Sequence, residues 1–106
     1  MLLTNEITPS VQTLKRYGLS LAEWKALFKK QKGLCLICGE PRRLVIDHYH
    51  VKGWKKMPPD KRKLYVRGLL CTWCNYRVVR KGVTILKLRN AVAYLEEFEK
   101  RLCQLT

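Results

Sequence analysis

Two C-x-x-C pairs, Cys35/Cys38 and Cys71/Cys74, bracket a stretch that holds both histidines of the chain, within Asp47-His48-Tyr49-His50. Thiolates two residues apart can grip one ion from a single tight turn, and two such turns complete a tetrahedron. The spacing therefore points to a structural Zn²⁺ held by Cys35, Cys38, Cys71 and Cys74. Gly39 suits the chain reversal that follows Cys38, since glycine enters left-handed backbone without a Cβ clash. Redox or disulfide chemistry is the lesser alternative, because a redox C-x-x-C would be expected once, at a helix start in a βαβ pattern. Cys103 stands alone near the C-terminus and reads as a small residue on a helix face. A site of this kind rarely pre-exists in an unfolded chain, so zinc binding is expected to supply folding free energy.

The acid and imidazoles inside the bracket suit phosphodiester hydrolysis. That reaction needs an activated water, a cation against the charge growing on phosphorus, and stabilisation of the departing 3′-oxygen. Mg²⁺ takes oxygen ligands and keeps several waters, so one or two protein groups suffice; the Asp47 carboxylate and the Asn75 side-chain carbonyl fit. Neutral imidazole can remove a proton from water near pH 7, which makes His48 the candidate base. Asn75 directly follows Cys74, so the metal staple also fixes the amide. In a regular strand Asp47 and His48 point to opposite faces while His48 and His50 share one. Convergence on one cation therefore requires a bulge or a strand end. The alternatives for Asp47-His48-Tyr49-His50 are a structural strand end, or a second metal site that uses both imidazoles. The zinc frame, the preceding acid, Asn75 and the charge of the chain favour catalysis.

Those groups need elements to position them. Ser10 can cap a short helix carrying Val11, Leu14 and Tyr17, and Ser20 with Glu23 forms a capping box for a helix whose apolar face is Trp24, Leu27 and Phe28. Gly33 is expected to end that helix just before the first knuckle. Leu44-Val45-Ile46 reads as a short strand delivering Asp47 and His48 at its end, and a second strand is expected around Leu64 to Arg67. Gly68-Leu69-Leu70 then leads into the second knuckle. A short helix is expected from Cys74-Asn75 toward Arg80, stopped by Gly82, and Thr84 caps a last helix with Ile85, Leu88, Val92, Leu95, Phe98 and Leu102 on one face. That helix is expected to pack on the core or on a partner copy. Lys52-Gly53-Trp54-Lys55-Lys56-Met57-Pro58-Pro59-Asp60-Lys61-Arg62-Lys63 reads as a loop, since its prolines block ladder pairing. Its basic residues around Trp54 suit phosphate contact with base stacking; the equal alternative is that Trp54 folds back onto the core.

The chain has 106 residues, a length suited to one domain with a modest core, and 22 basic against 8 acidic residues give it a net charge of +14. Such an excess self-repels unless an anionic partner neutralises it, and nucleic acid is the first candidate. A membrane surface is a weaker one, because the basic residues do not line one face of a long amphipathic helix. No stretch approaches membrane-spanning length and the first residues lack a signal-peptide pattern, so the expected location is the cytoplasm, without secretion.

Tyr17-Gly18-Leu19, Leu34-Cys35-Leu36-Ile37-Cys38-Gly39, Asp47-His48-Tyr49-His50, Val66-Arg67-Gly68-Leu69-Leu70-Cys71-Thr72-Trp73-Cys74-Asn75 and Ala93-Tyr94-Leu95 closely resemble the phage recombination endonuclease VII family, one of the HNH or His-Me finger nucleases. The resemblance implies a small zinc-stapled α+β domain with a ββα-metal core and flanking helices. The segments would be an N-terminal stretch over 1–16, a zinc-bound core over 17–83 with a basic loop over 52–65, and an amphipathic helix over 84–104. It implies Zn²⁺ on Cys35, Cys38, Cys71 and Cys74, catalytic Mg²⁺ (with Mn²⁺ as substitute) on Asp47 and Asn75, His48 as general base, and His50 assisting at the phosphate or leaving group. Cleavage would leave 5′-phosphate and 3′-hydroxyl ends on duplex or branched DNA, in a host-cell cytoplasm if the chain is phage-encoded. Lys52, Trp54, Lys55, Lys56, Lys61, Arg62, Lys63 and Arg67 are the candidate DNA contacts. Tyr49 stands where relatives often carry a second aspartate, and the basic loop is longer than usual. Family members that resolve four-way junctions are dimers of intertwined helices with a further C-terminal domain. A homodimer through the last helix and Holliday-junction resolution are thus alternatives within the class, and a non-catalytic zinc-ribbon nucleic-acid-binding protein is the alternative outside it.

Overall fold

Two serines start the N-terminal helices. In the computed structural model, which describes residues 6–105, helix α1 (Val11–Tyr17) opens where Thr13 N donates to Ser10 Oγ at 3.2 Å. The absence of a signal-peptide pattern was read largely from Met1 to Asn5, which lie outside that range. Helix α2 (Leu21–Lys30) opens on the expected capping box, Glu23 N donating to Ser20 Oγ at 3.1 Å and Ser20 N to Glu23 Oε1 at 2.9 Å. Its buried face carries Trp24 and Phe28, stacked at 5.2 Å between ring centroids. Burying side chains of this size contributes about 1.5–3 kcal/mol each.

Strands β1 (Leu44–His48) and β2 (Val66–Cys71) pair antiparallel, with Leu44 opposite Cys71, Ile46 opposite Leu69 and Asp47 opposite Gly68. The register then shifts, so that His48 faces Val66 and Arg67 is the extra residue of a bulge in β2. Leu44, Ile46, Leu69 and Leu70 join Leu14, Leu19, Trp24 and Phe28 in the core. Gln31 at the end of α2 closes one side. Its Nε2 donates to Leu69 O at 2.8 Å and its Oε1 accepts from Leu69 N at 2.9 Å, so a side-chain amide acts as a strand partner.

Three boundaries differ from the sequence reading. The second strand begins at Val66, not Leu64, because the segment that buries its side chains is Gly68-Leu69-Leu70; Leu64 lies exposed in the 3-10 turn Lys63–Tyr65. Helix α4 spans Thr72–Arg77, starting before Cys74 and ending before Arg80, because the Cys71 sulfur caps it by accepting from Cys74 N at 3.4 Å. The segment expected to be a loop over 52–63 contains the 3-10 turn Trp54–Lys56 and helix α3 (Pro59–Arg62). The Pro-Pro pair starts that helix, since proline tolerates the first helical turn, where its missing N–H would have no partner.

Helix α3 docks on α1 through a close backbone approach. Gly18 ends α1 at φ 72°, and a Cβ there would run into the Pro59 carbonyl. Arg62 locks the contact, Nη1 donating to Arg16 O at 3.1 Å and Nη2 to Lys55 O at 2.7 Å. Helix α5 (Ile85–Leu105) opens on Thr84, whose Oγ1 accepts from Lys87 N at 3.0 Å, yet residues 85–104 are exposed throughout. Val92 (55 % exposed), Leu95 (60 %) and Phe98 (51 %) lie outside the core formed by the described residues, so the expected packing of this helix on that core is not seen. Among the described residues no helix is long and apolar enough to cross a membrane.

Cys35, Cys38, Cys71 and Cys74 bring their sulfurs within 4.8 Å of one another, and Cys38 Sγ lies 3.8 Å from Cys71 Sγ. Four thiolates about 2.3 Å from a central Zn²⁺ sit about 3.8 Å apart in a tetrahedron, so the donor set and spacing fit a structural zinc. Burial works to raise the Cys35 thiol, but the backbone N–H groups of Cys71, Cys38 and Ile37 outweigh it and hold it at about 6. Cys74 is pushed up to about 12, by burial first and then by the neighbouring sulfurs. A divalent cation removes that conflict by taking the place of the protons.

Cys71→Ser is expected to abolish the cooperative unfolding transition by circular dichroism and to release the zinc; a zinc-free variant that unfolds like the parent would contradict the staple. Gly18→Ala is expected to cost about 1–3 kcal/mol in urea unfolding, from the left-handed backbone and the Pro59 collision together, with zinc content unchanged.

Candidate functional site

Strand β1 and helix α4 are both tied to the cysteine cluster, β1 through its pairing with β2 and α4 through its own Cys74. Between them lies a cavity of about 330 Å³ whose walls include Asp47, His48 and His50 on one side and Asn75 on the other. The four candidate catalytic residues thus share one cavity, whose lining also includes Tyr17, Ile46, Tyr76, Arg80 and Lys81. The alternation argument asked for a bulge or a strand end at Asp47–His48; β1 ends at His48, and the register shift opposite that step puts the extra residue in β2.

Asp47 is 4 % exposed and its carboxylate is gripped by the guanidinium of the bulged residue. Arg67 Nε donates to Oδ2 at 2.7 Å and Nη2 to Oδ1 at 3.0 Å. Burial of a carboxylate is costly without such a partner, and the two-pronged geometry is the strong form of the bond. Each carboxylate oxygen can still accept a second ligand.

His48 sits in an aromatic cage. The Trp54 indole stacks on it at 4.3 Å between centroids and 25° between planes, His50 lies 4.7 Å away and Tyr17 5.4 Å away. Trp54 lies outside the core and lines the neighbouring basic depression, with one face stacked on His48. Burial pulls the His48 pKa below its usual 6.5; the charge of His50 and then that of Arg67 act the same way, and Asp47 opposes them. The imidazole is therefore neutral at pH 7, the form that accepts a proton.

A second depression of about 660 Å³ adjoins the first, sharing Tyr17, His48, His50 and Lys81 with it, and is lined by Arg16, Lys52, Lys55 and Lys56. Lys52, Trp54, Lys55 and Lys56 of the sequence-predicted DNA contacts are thus beside the catalytic candidates, and Lys61 is exposed on α3. Arg62, Lys63 and Arg67 are engaged within the protein: Arg62 in the α1–α3 contact, Lys63 with Glu23 at 2.9 Å, and Arg67 with Asp47. Tyr49 is exposed and stacks on Tyr65 at 6.4 Å between centroids. Sequence reasoning did not single out Arg16, Arg80 and Lys81 as lining residues. Their only signal was basic character just before Tyr17 and just after α4.

As a donor set, Asp47 and Asn75 offer two hard oxygens in one cavity, which suits a cation that completes its shell with water and phosphate. By donor type these two residues suit Mg²⁺, and both Asp47 oxygens already accept from Arg67.

The Gene 59 protein of Mycobacterium phage D29 is 34 % identical over 89 residues, covering 79 % of this chain and 47 % of that protein. The Gene 59 protein of Mycobacterium phage L5 is 38 % identical over 66 residues, covering 58 % of this chain and 34 % of that protein. The chain thus spans less than half the length of these relatives. No solved structure matches significantly. The family model for recombination endonuclease VII matches residues 10–97, which takes in the cysteine cluster, both strands and the whole cavity, and the chain belongs to that family.

Proposed function

We propose that the chain is a metal-dependent DNA endonuclease in which β1, β2 and α4 act as a ββα-metal core of the HNH or His-Me finger kind, the whole forming one catalytic unit. The observation that carries this reading is the single cavity holding Asp47, His48, His50 and Asn75 beside a basic depression. Asp47 and Asn75 would hold Mg²⁺, or Mn²⁺ in its place. When bound, the cation supplies neutralisation of the phosphate oxygens and of the departing 3′-oxygen.

The remaining chemistry belongs to side chains. His48, neutral at pH 7 and fixed by Trp54, takes a proton from the attacking water. His50, exposed at the mouth, reaches the phosphate or the leaving group. Arg16, Lys52, Lys55, Lys56 and Lys81 line the adjoining depression and neutralise the DNA backbone, which makes binding steeply salt-dependent. The products would be 5′-phosphate and 3′-hydroxyl ends.

The apolar stripe of α5 supports a second element of the proposal, a homodimer through this helix. Leu88, Val92, Leu95, Phe98 and Leu102 recur at three- and four-residue steps and lie 37–60 % exposed, the pattern of a helix built to bury one face. Two catalytic units held this way could cut two strands, as junction resolution requires.

His48→Ala is expected to reduce nicking of supercoiled plasmid in Mg²⁺ by about 100- to 10,000-fold, while gel-shift affinity for the same DNA stays near that of the parent. DNA binding without nicking by the parent would instead favour the non-catalytic zinc-ribbon reading. Leu95→Glu combined with Phe98→Glu should shift sedimentation from dimer to monomer with zinc retained; a parent that sediments as a monomer at high concentration would remove the dimer.

A further inference from the structure

We infer that Arg67 is a gate on the metal position: it neutralises Asp47 while DNA is absent and transfers its guanidinium to a DNA phosphate on binding, which frees the carboxylate for the cation. The inference rests on the assignment of Asp47 to Mg²⁺ proposed above. Three features of the site carry it.

Both Asp47 oxygens accept from Arg67, at 2.7 and 3.0 Å, so the carboxylate that would ligate the cation is already neutralised. A guanidinium and a divalent cation on one carboxylate repel, and with little water between them the repulsion is weakly screened. Metal binding to the DNA-free protein is therefore penalised.

The two partners also differ in access. The Asp47 side chain is 5 % exposed, whereas that of Arg67 is 38 % exposed. The acid is committed to the site and the base can leave it. Arg67 is the extra residue of the β2 bulge, where the side chain is released from the strict alternation of the strand.

Finally, the replacement partner matches. A phosphate offers the guanidinium fork the same pair of oxygens as a carboxylate does, and the basic depression that shares His48 with the site would draw the DNA backbone toward it. The exchange keeps every charge paired: Arg67 passes from carboxylate to phosphate as Asp47 passes from guanidinium to Mg²⁺. It also gives the enzyme a reason to hold its metal weakly until substrate is present.

The test is Mg²⁺ titration calorimetry on the zinc-loaded full chain without DNA, a readout independent of cleavage. Arg67→Gln is expected to bind Mg²⁺ about tenfold more tightly than the parent, the scale of one charge-assisted contact. Adding Asp47→Asn to it should remove that gain. In a His48→Ala background, which blocks cutting, a short DNA duplex should tighten Mg²⁺ binding, and that coupling should shrink in Arg67→Gln because the gate is already open. Should Arg67→Gln fail to fold, Arg67→Lys, which keeps the charge but lacks the fork, should show the same effects to a smaller degree. Equal or weaker Mg²⁺ affinity in a folded, zinc-loaded Arg67 variant would overturn the gate while leaving the metal assignment standing. Unchanged Mg²⁺ binding by Asp47→Asn alone would instead overturn the assignment, and the gate with it.

Discussion

One tetrathiolate cluster determines what the rest of this molecule can be. A domain with two short strands and few long helices against them has little apolar surface to bury, and the cluster offers in its place a metal-ligating set that can crosslink a turn at residues 35–38 to the β2–α4 junction at residues 71–74. The crosslink is also directional. Cys71 ends β2 and caps α4, and Cys74 lies on the first turn of α4, so the cluster sets the angle at which that helix leaves the sheet. Asn75, the next residue, inherits that angle. The site is therefore rigid where its amide sits, although α4 itself is too short to be stable alone.

The opposite wall is organised by packing. Tyr17 at the end of α1 and Trp54 in the ordered basic segment close around His48, and α3 seats the segment against α1 through the Gly18–Pro59 approach. His48 is thereby held by aromatic contacts from two separate parts of the chain. Its acidic neighbour is held by one ion pair across the sheet. In the function proposed above these two holds would suit different tasks, since proton transfer depends on fixed orientation, whereas metal capture tolerates a change of partner.

Much of this was legible in the sequence, for identifiable reasons. Ser10, Ser20 with Glu23, and Thr84 act over three residues, so their caps need no tertiary information, and all three open helices as read. The cysteine spacing is equally local, and it brought Asn75 to the site without knowledge of the fold. What escaped was set by distant partners. Gly68-Leu69-Leu70 is a strand because Val45, Ile46 and Asp47 and the Gln31 amide lie beside it. The Pro-Pro segment becomes helical because α1 offers it a glycine to approach. Arg67 looked like one more DNA contact, since neither its bulge nor the burial of Asp47 can be read from residue order. Lys81 and Arg80 reach the cavity only through the turn after α4.

The bulge in β2 makes chain length at that point a constraint of its own. Deleting one residue between Val66 and Gly68 would restore plain alternation along the strand, and with it either lose the guanidinium opposite Asp47 or turn it to the other face. The outer segment of residues 52–65 is constrained differently, at separate anchors where Trp54 meets His48, Pro59 meets Gly18 and Arg62 meets Arg16, so only the chain between those anchors can lengthen as a surface excursion. Natural variation in spacing should accordingly be excluded between Val66 and Cys71 and confined, in the outer segment, to the turn between Lys56 and Pro59, whatever substitutions each stretch accepts.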